Sequence, residues 1–360
     1  MNLYEKISVL GSGAQYDTCG PRNFGQTSNI PGVYHANFNG HTCRLFKVLQ
    51  SNYCQNNCHY CAFRQDRSCQ RASVTPDEMA SAFISAKNRR LVDGLFLSSG
   101  IINNPETTMT QMIDTVRILR EKHKYKNYIH LKIMPGSSPS VISEALKITN
   151  RISINIESPT ESGLSDISPD KNLKTGFFKT LFEIKKQINL NNYYRVKTPS
   201  VTTQFIVGAG KETDLDFIKM THLLYTNFDL KRVFYSAFRP VPQTPLSYKA
   251  PTSLTRQHRL YQSDFLMRFY RFSPSDLPLD TNGLLSETSD PKLIWAQNHP
   301  DFFPININQA DYWDLLKIPG IGPESAKKIT TLRQTSRITS ASQLSRLHIQ
   351  TSKLQKYIYF

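Results

Sequence analysis

Residues 54–61 read CQNNCHYC and place Cys54, Cys58 and Cys61 in the spacing C-x3-C-x2-C. Three thiolates on one short loop suit three irons of a [4Fe–4S] cluster, whose usual protein ligands are cysteine thiolates. No fourth cysteine joins the run, which leaves one iron open to a small ligand. A structural zinc site usually takes two C-x2-C pairs, or one pair with paired histidines, and closes at four ligands. Here one C-x2-C is present, and the nearest histidine, His59, lies inside the loop. A disulfide framework belongs to small secreted chains. This chain has 360 residues and no apolar signal segment at its start, so a cytoplasmic location is expected.

Working outward, the length suits one large domain and one small one. Hydrophobic residues make up 39% of the chain, no run of 18 apolar residues occurs, and no membrane span is expected. The net charge of +16 favours a polyanionic partner, nucleic acid first, over a merely soluble basic protein. From Lys231 to Arg271 there are eight basic residues and one acid, Asp264. Cys19, Cys43 and Cys69 are either auxiliary ligands and redox partners or, as isolated cysteines more often are, small buried hydrophobes.

Residues 1–43 read as an N-terminal extension wrapping the next domain. Its segment GSGAQYDTCGPRNFG (11–25) lacks the strand–helix context of a dinucleotide fingerprint. From residue 44 strands and helices alternate: strand 44–50, helix 75–87, strand 94–100, helix 106–123, strand 128–136, a helix from Ser138 or Pro139, strand 151–159, helix 174–190, strand 201–208, helix 213–226 and strand 231–238. Such alternation predicts βαβ units and a parallel sheet. In the fourth strand Ile152, Ile154 and Ile156 alternate with Ser153, Asn155 and Glu157. A period of two puts the isoleucines on one face and the polar side chains on the other, where they need partners. Glu157 is thus a candidate ligand contact, with an internal salt bridge to Lys132 as the alternative.

The tail divides further, into a basic helical connector (251–300) and a small helical domain (301–360). In the connector, Leu254, Tyr261, Phe265 and Phe269 fall near helical spacing, with Arg256, Arg259, Arg268 and Arg271 available to phosphates. An amphipathic helix with a solvated basic face is the plainer reading. Residues 305–333, ININQADYWDLLKIPGIGPESAKKITTLR, place I-P-G-I-G between two helices. This resembles the helix–hairpin–helix motif of non-sequence-specific DNA-binding proteins. Gly320 and Gly322 let the turn tighten, and bare amides around Ile321 at a helix N-terminus suit a phosphate. Lys327 and Lys328 add charge. A protein–protein helical hairpin is the alternative. Residues 341–358 have the rhythm of a second, degenerate copy completing a four-helix unit.

Taken together, QYDTCG, LFKVLQSNYCQNNCHYC, GLFLSSGI, YIHLKIMPG, ISINIESPT, KRVFYSAF, HRLYQSDFLMRFY and HPDFFPININQADYWDLLKIPGIG resemble the DNA modification/repair proteins of the radical S-adenosylmethionine (SAM) superfamily. The resemblance runs nearly end to end. It implies an α/β fold, a partial (β/α)6 TIM-like barrel over 44–250, followed by an all-α helix–hairpin–helix domain. It implies a [4Fe–4S] cluster on Cys54, Cys58 and Cys61, and SAM as cofactor. The SAM contacts it implies are Ser98, Ser99 and Gly100 at the end of strand two, Asn155 and Glu157 on strand four, and Gln204 and Gly208 on strand five, where a plain strand-ending turn also accounts for Gly208. The family form of the first turn is two glycines and an acid, and Ser-Ser-Gly-Ile stands here. The resemblance further implies DNA as substrate, an electron donor such as flavodoxin or ferredoxin, and a partner resembling uracil-DNA glycosylase. A tRNA-modifying enzyme and a non-catalytic iron–sulfur DNA sensor are the competing functions, and Tyr235 and Cys19 are conceivable hydrogen donors.

Overall fold

The strand–helix alternation is built by short, strong local signals. In a computed structural model describing residues 1–14, 30–38 and 41–360, three of the helices that alternate with strands open on a capping side chain followed by proline. Thr75, Asn104 and Ser138 each accept from a backbone N–H of the first turn, and Pro76, Pro105 and Pro139 follow. The cap satisfies an orphan donor, and proline loses nothing at a position without a helical partner. Cys19 and most of segment 11–25 lie outside the described residues.

The described residues cluster into two compact units, Met1–Glu212 with Leu223–Ser253, and Thr213–His222 with Leu254–Phe360. The first unit holds a curled, open seven-stranded sheet in chain order. Its strands are β1 (Val33–Phe38), β2 (His41–Leu49), β3 (Gly94–Ser98), β4 (Ile129–Lys132), β5 (Arg151–Ser153), β6 (Ser200–Val207) and β7 (Arg232–Ala237). From β2 to β7 every pairing is parallel. The crossover helices are α2 (Pro76–Asn88), α3 (Pro105–Glu121), α4 (Pro139–Ile148), α6 (Lys179–Tyr193) and α7 (Asp214–Phe228). Every residue of β3 is buried, as a strand covered on both faces should be.

Three features depart from the sequence expectation. The sheet has a seventh strand, because β1 pairs antiparallel with β2 and lies inside the segment read as an extension. Helix α1 (Leu3–Gly13) precedes it. The expected helix 174–190 begins as a π-turn over Leu173–Phe178 before α6 takes over. Helix α5 (Glu161–Ile167) occupies a stretch to which the sequence reading assigned nothing.

The second unit contains α8 (Leu254–Phe269), α9 (Pro291–Asn298), α10 (Tyr312–Lys317), α11 (Pro323–Thr335) and α12 (Ala341–Arg346). It is not all-α. After a 3-10 turn at Thr351–Lys353 the chain ends in strand β9 (Ile358–Tyr359), parallel to β8 (Ile305–Asn306), so no fourth helix forms there. Leu315, Leu316, Ile321, Ala326, Ile329, Leu344, Leu354 and Ile358 form its core.

Candidate active site

The cysteine loop follows β2 and is closed from three sides. Asn52 exchanges hydrogen bonds with Ala72, its N–H donating to the Ala72 carbonyl and its Oδ1 accepting from the Ala72 N–H. Arg71 then gathers the loop. Its guanidinium donates to the carbonyls of Asn52, Phe63, Arg64 and Arg67 at 2.5–3.0 Å. A planar group with five fixed donors can do this, and lysine cannot. On the second side, the Gln55 N–H donates to Ile101 O, and the Ile101 N–H lies 3.5 Å from Cys54 Sγ.

The third side is the end of α5 and the segment after it. His59 N–H donates to Ile167 O at 2.8 Å, Asn57 N–H donates to the Asp170 carboxylate at 2.5 Å, and His59 Nδ1 lies 2.8 Å from Asp166 O. The hydroxyl of Ser168 lies 2.9 Å from Cys58 Sγ. Lys171 continues this segment and pairs with Glu157 at 3.0 Å.

The three predicted ligands therefore share one loop and one electrostatic environment. Burial pushes the Cys61 thiol up to about 12, with the neighbouring Cys58 and Cys54 adding to it. Burial also raises Cys58, while Lys171 and the Ser168 hydroxyl pull the other way. Gathering three thiolates out of water is unfavourable without a cation, and an iron–sulfur cluster supplies one. Among the described residues, no group of three His, Cys, Asp or Glu side chains is placed to hold a metal ion in the present geometry. The donor set fits a cluster held by Cys54, Cys58 and Cys61. Cys43 and Cys69 lie half-buried elsewhere.

Of the seven residues expected to meet SAM, six fall at or just past the carboxyl ends of β3, β5 and β6, and Gln204 lies mid-strand in β6. Ser98 is buried at the end of β3, and Ser99 directs its hydroxyl toward Ser51 O at 3.4 Å. Gly100 donates its N–H to Ser51 O at 2.8 Å. A Cβ at Gly100 would stand 2.2 Å from Tyr53 O and 3.1 Å from the Cβ of Cys54, so only glycine lets this turn lie against the loop. Strand β5 is shorter than the alternation suggested. Pairing runs Ser153 to Thr202, then resumes as a bridge from Glu157 to Phe205, so four steps on one strand face three on the other. That bulge carries Asn155, which is half-buried, and it sets Glu157 at φ +66°. A left-handed glutamate is uncommon and marks a backbone held by its surroundings.

Glu157 pairs with Lys171, a partner the sequence reading did not consider. Its carboxylate also meets the Tyr60 hydroxyl, whose pKa is driven well up by burial and then by that carboxylate. Tyr60 packs against Ile167, Ala209, Phe238 and Leu246. Gln204 is 5% exposed, and its Oε1 has no hydrogen-bond partner among the described residues. An orphaned buried acceptor costs about 1–3 kcal/mol, which a ligand donor would recover. Gly208 takes φ +80°, and the atom that closes on it is Thr252 Oγ1, 2.1 Å from where a Cβ would sit. Glu212, to which the sequence reading assigned no role, accepts from the Ser158 hydroxyl, and its carboxylate fills the space that a Cβ at Gly163 or Gly210 would need. Its signal was an acid just past the glycine-rich end of β6.

In the second unit, the turn Ile318–Gly322 joins α10 to α11. Gly320 is exposed at φ +88°, whereas Gly322 sits at φ −108°, so only the first glycine needs positive φ. Gly322 is the N-cap of α11 and has no side-chain cap. The Ile321 side chain is core, its N–H donates to Ile318 O and its carbonyl accepts from Lys292, so Ile321 shapes the turn and has no amide left for a phosphate. Lys327 and Lys328 are exposed, with Lys328 reaching Leu347 O. On α8 the expected apolar stripe is not the buried face. Phe265 and Phe269 are exposed, and Leu260, Asp264 and Leu266 are buried with Tyr261. The arginines are engaged as well: Arg256 with Asp214, Arg259 with the carbonyls of Ser286 and Glu287, Arg268 with Asp264, and Arg271 over the Trp313 ring.

Residues 48–224 match the Radical SAM superfamily model. The chain is 22% identical over 241 residues to the tRNA-2-methylthio-N(6)-dimethylallyladenosine synthase of Lachnoclostridium phytofermentans, covering 65% of this chain and 50% of that protein. It thus spans about half the length of the curated relative it matches. Among solved structures, a radical SAM methyltransferase from Sphaerobacter thermophilus aligns at 15% identity and TM-score 0.49, over 64% of this chain and 65% of that one. Methylornithine synthase aligns at 15% identity and TM-score 0.48, over 61% and 60%. No helix among the described residues is long and apolar enough to cross a membrane. With the cysteine loop lying inside the matched region, the chain carries a radical SAM superfamily domain over residues 48–224, and its cofactors are those of that superfamily, a [4Fe–4S] cluster and S-adenosylmethionine.

Proposed function

We propose that this radical SAM enzyme acts on nucleic acid, with duplex DNA as its substrate class. The observation that carries the reading is the turn at Gly320. It is exposed, it precedes a helix whose N-cap has no side-chain cap, and two exposed lysines follow in the next turns. A helix N-terminus with flanking cations suits a phosphate, and phosphate contacts position a protein without reading sequence. The net charge of +16 agrees with a polyanionic partner.

When bound, the cluster and SAM supply a 5′-deoxyadenosyl radical that removes hydrogen from a substrate. The chain's part is to hold and shield. Arg71 and the segment after α5 keep the cysteine loop in one shape, and the Glu157–Lys171 pair keeps a charged wall dry. A base inside a duplex would have to be unstacked to reach such a site. A low-potential donor such as flavodoxin or ferredoxin would supply the electron, and a glycosylase-like protein is a fitting partner for a DNA role.

A second reading, tRNA as substrate, is favoured by one finding, the remote likeness to a tRNA-modifying synthase. The test places deuterium in candidate duplexes and in tRNA and follows it into 5′-deoxyadenosine. Transfer from DNA is expected. Transfer from tRNA with none from DNA would move the assignment to the second reading.

A further inference from the structure

The hydroxyl of Ser168 is fully buried and sits 2.9 Å from Cys58 Sγ, across 110 residues of sequence. Its backbone is tied at both ends, the Ser168 N–H donating to Leu164 O at 2.7 Å and its carbonyl accepting from the Lys171 N–H at 2.9 Å. Chain segment and cysteine loop are further bound by the His59–Ile167 and Asn57–Asp170 hydrogen bonds. The hydroxyl therefore has little freedom to leave. A sulfur that ligates iron carries no proton, so in that state the hydroxyl must be the donor. Lys171 brings a cation to the same side. Its side chain is 19% exposed and its carboxylate partner, Glu157, is 6% exposed, so water screens the pair weakly.

We propose that Ser168, assisted by Lys171, is a positioning residue that sets the reduction potential of the cluster, by donating a hydrogen bond to the Cys58 sulfur. The proposal rests on the assignment of Cys58 as a ligand. The couple involved is simple: one electron enters the cluster from a low-potential donor, no proton is taken up and no bond breaks. Reduction adds negative charge to the sulfurs, so a donor to sulfur and a nearby cation stabilise the reduced form and raise the potential.

The test uses reconstituted full-length protein and a redox titration followed by EPR of the reduced cluster, with dithionite as reductant. At the parent midpoint, Ser168→Ala should lower the ratio of reduced to oxidised cluster three- to tenfold, where tenfold is about 59 mV for one electron. Lys171→Met should shift it in the same direction, and Lys171→Arg should stay near the parent. In deuterated buffer, pulsed EPR should find an exchangeable deuteron coupled to the parent cluster and lose that signal in Ser168→Ala. If Ser168→Ala fails to hold iron, Ser168→Cys is read instead, where the weaker S–H donor should give a smaller shift in the same direction. An unchanged ratio and an unchanged deuteron signal in an iron-replete variant would overturn the proposal. Full iron in Cys58→Ala would instead overturn the ligand assignment beneath it.

Discussion

Glu157 Oε1 and Lys171 Nζ are 3.0 Å apart beside the cysteine loop, and the glutamate is held there at a left-handed backbone angle of +66°. The pair links the bulge on β5 to the segment that latches Cys58. A charge this buried is tolerable only while its partner remains. Lys171→Met should therefore destabilise the cluster-free protein by about 3 kcal/mol, read as a lower urea midpoint. Glu157→Gln added to it should recover most of the loss. Equal stability for the single and double variants would rule out an energetic role for the pairing.

Iron binding should need all three cysteines and the glycine that faces them. Reconstituted parent protein should carry about four irons, as one [4Fe–4S] cluster does. Replacing Cys54, Cys58 and Cys61 together by alanine should abolish this. Gly100→Ala should also lower iron occupancy, because a Cβ there would lie 2.2 Å from Tyr53 O and must push the loop away. Iron analysis with the visible absorption spectrum decides both.

Arg71→Lys should loosen the loop while keeping the charge. The four carbonyl contacts of the guanidinium become at most three with an ammonium, and the planar fork is lost. Faster amide exchange across 52–67, with cluster loss in air speeded several-fold, is the expected result. An exchange pattern matching the parent would contradict it.

The two glycines of the hairpin should behave differently. Gly320 needs its positive φ, so Gly320→Val should weaken duplex binding on every sequence tested. Gly322 has an ordinary φ, and a Cβ there meets only Tyr270 Oη at 3.5 Å, so Gly322→Ala should bind nearly as the parent does. Each of Lys327→Ala and Lys328→Ala should reduce the log–log salt slope by about one. Fluorescence anisotropy against salt concentration measures all four.

Stability should rise with pH above neutrality through Lys292. Burial pulls this lysine from its ordinary 10.5 down to about 7, with Asp290 opposing, and it donates to Ile321 O and lies 4.7 Å from the Tyr270 ring centroid. Below pH 7 it is protonated both folded and unfolded, and the cost of burying the charge is present in full. Between about 7 and 10.5 the unfolded chain holds the extra proton, so unfolding becomes harder as pH rises. Urea midpoints from pH 7 to 9 should climb in the parent, and the climb should be shallower in Lys292→Met. Parallel curves would place the effect elsewhere.

The cysteine spacing, the capping residues ahead of each proline and the alternating strands are local patterns. Each rests on neighbours within a few residues: a thiolate run on one loop, a side chain reaching its own first turn, a two-residue pleat. That is why the parallel sheet and the cluster loop could be read from the chain alone. The bulge at Asn155, the pairing of Lys171 with Glu157, and the burial of Asp264 on α8 could not, since each depends on how the chain packs there. The same holds for the latch on Cys58. Asp166, Ser168 and Asp170 form an unremarkable polar stretch until the fold carries it more than a hundred residues back to the cysteines, where a buried hydroxyl must find a partner and the sulfur is within reach.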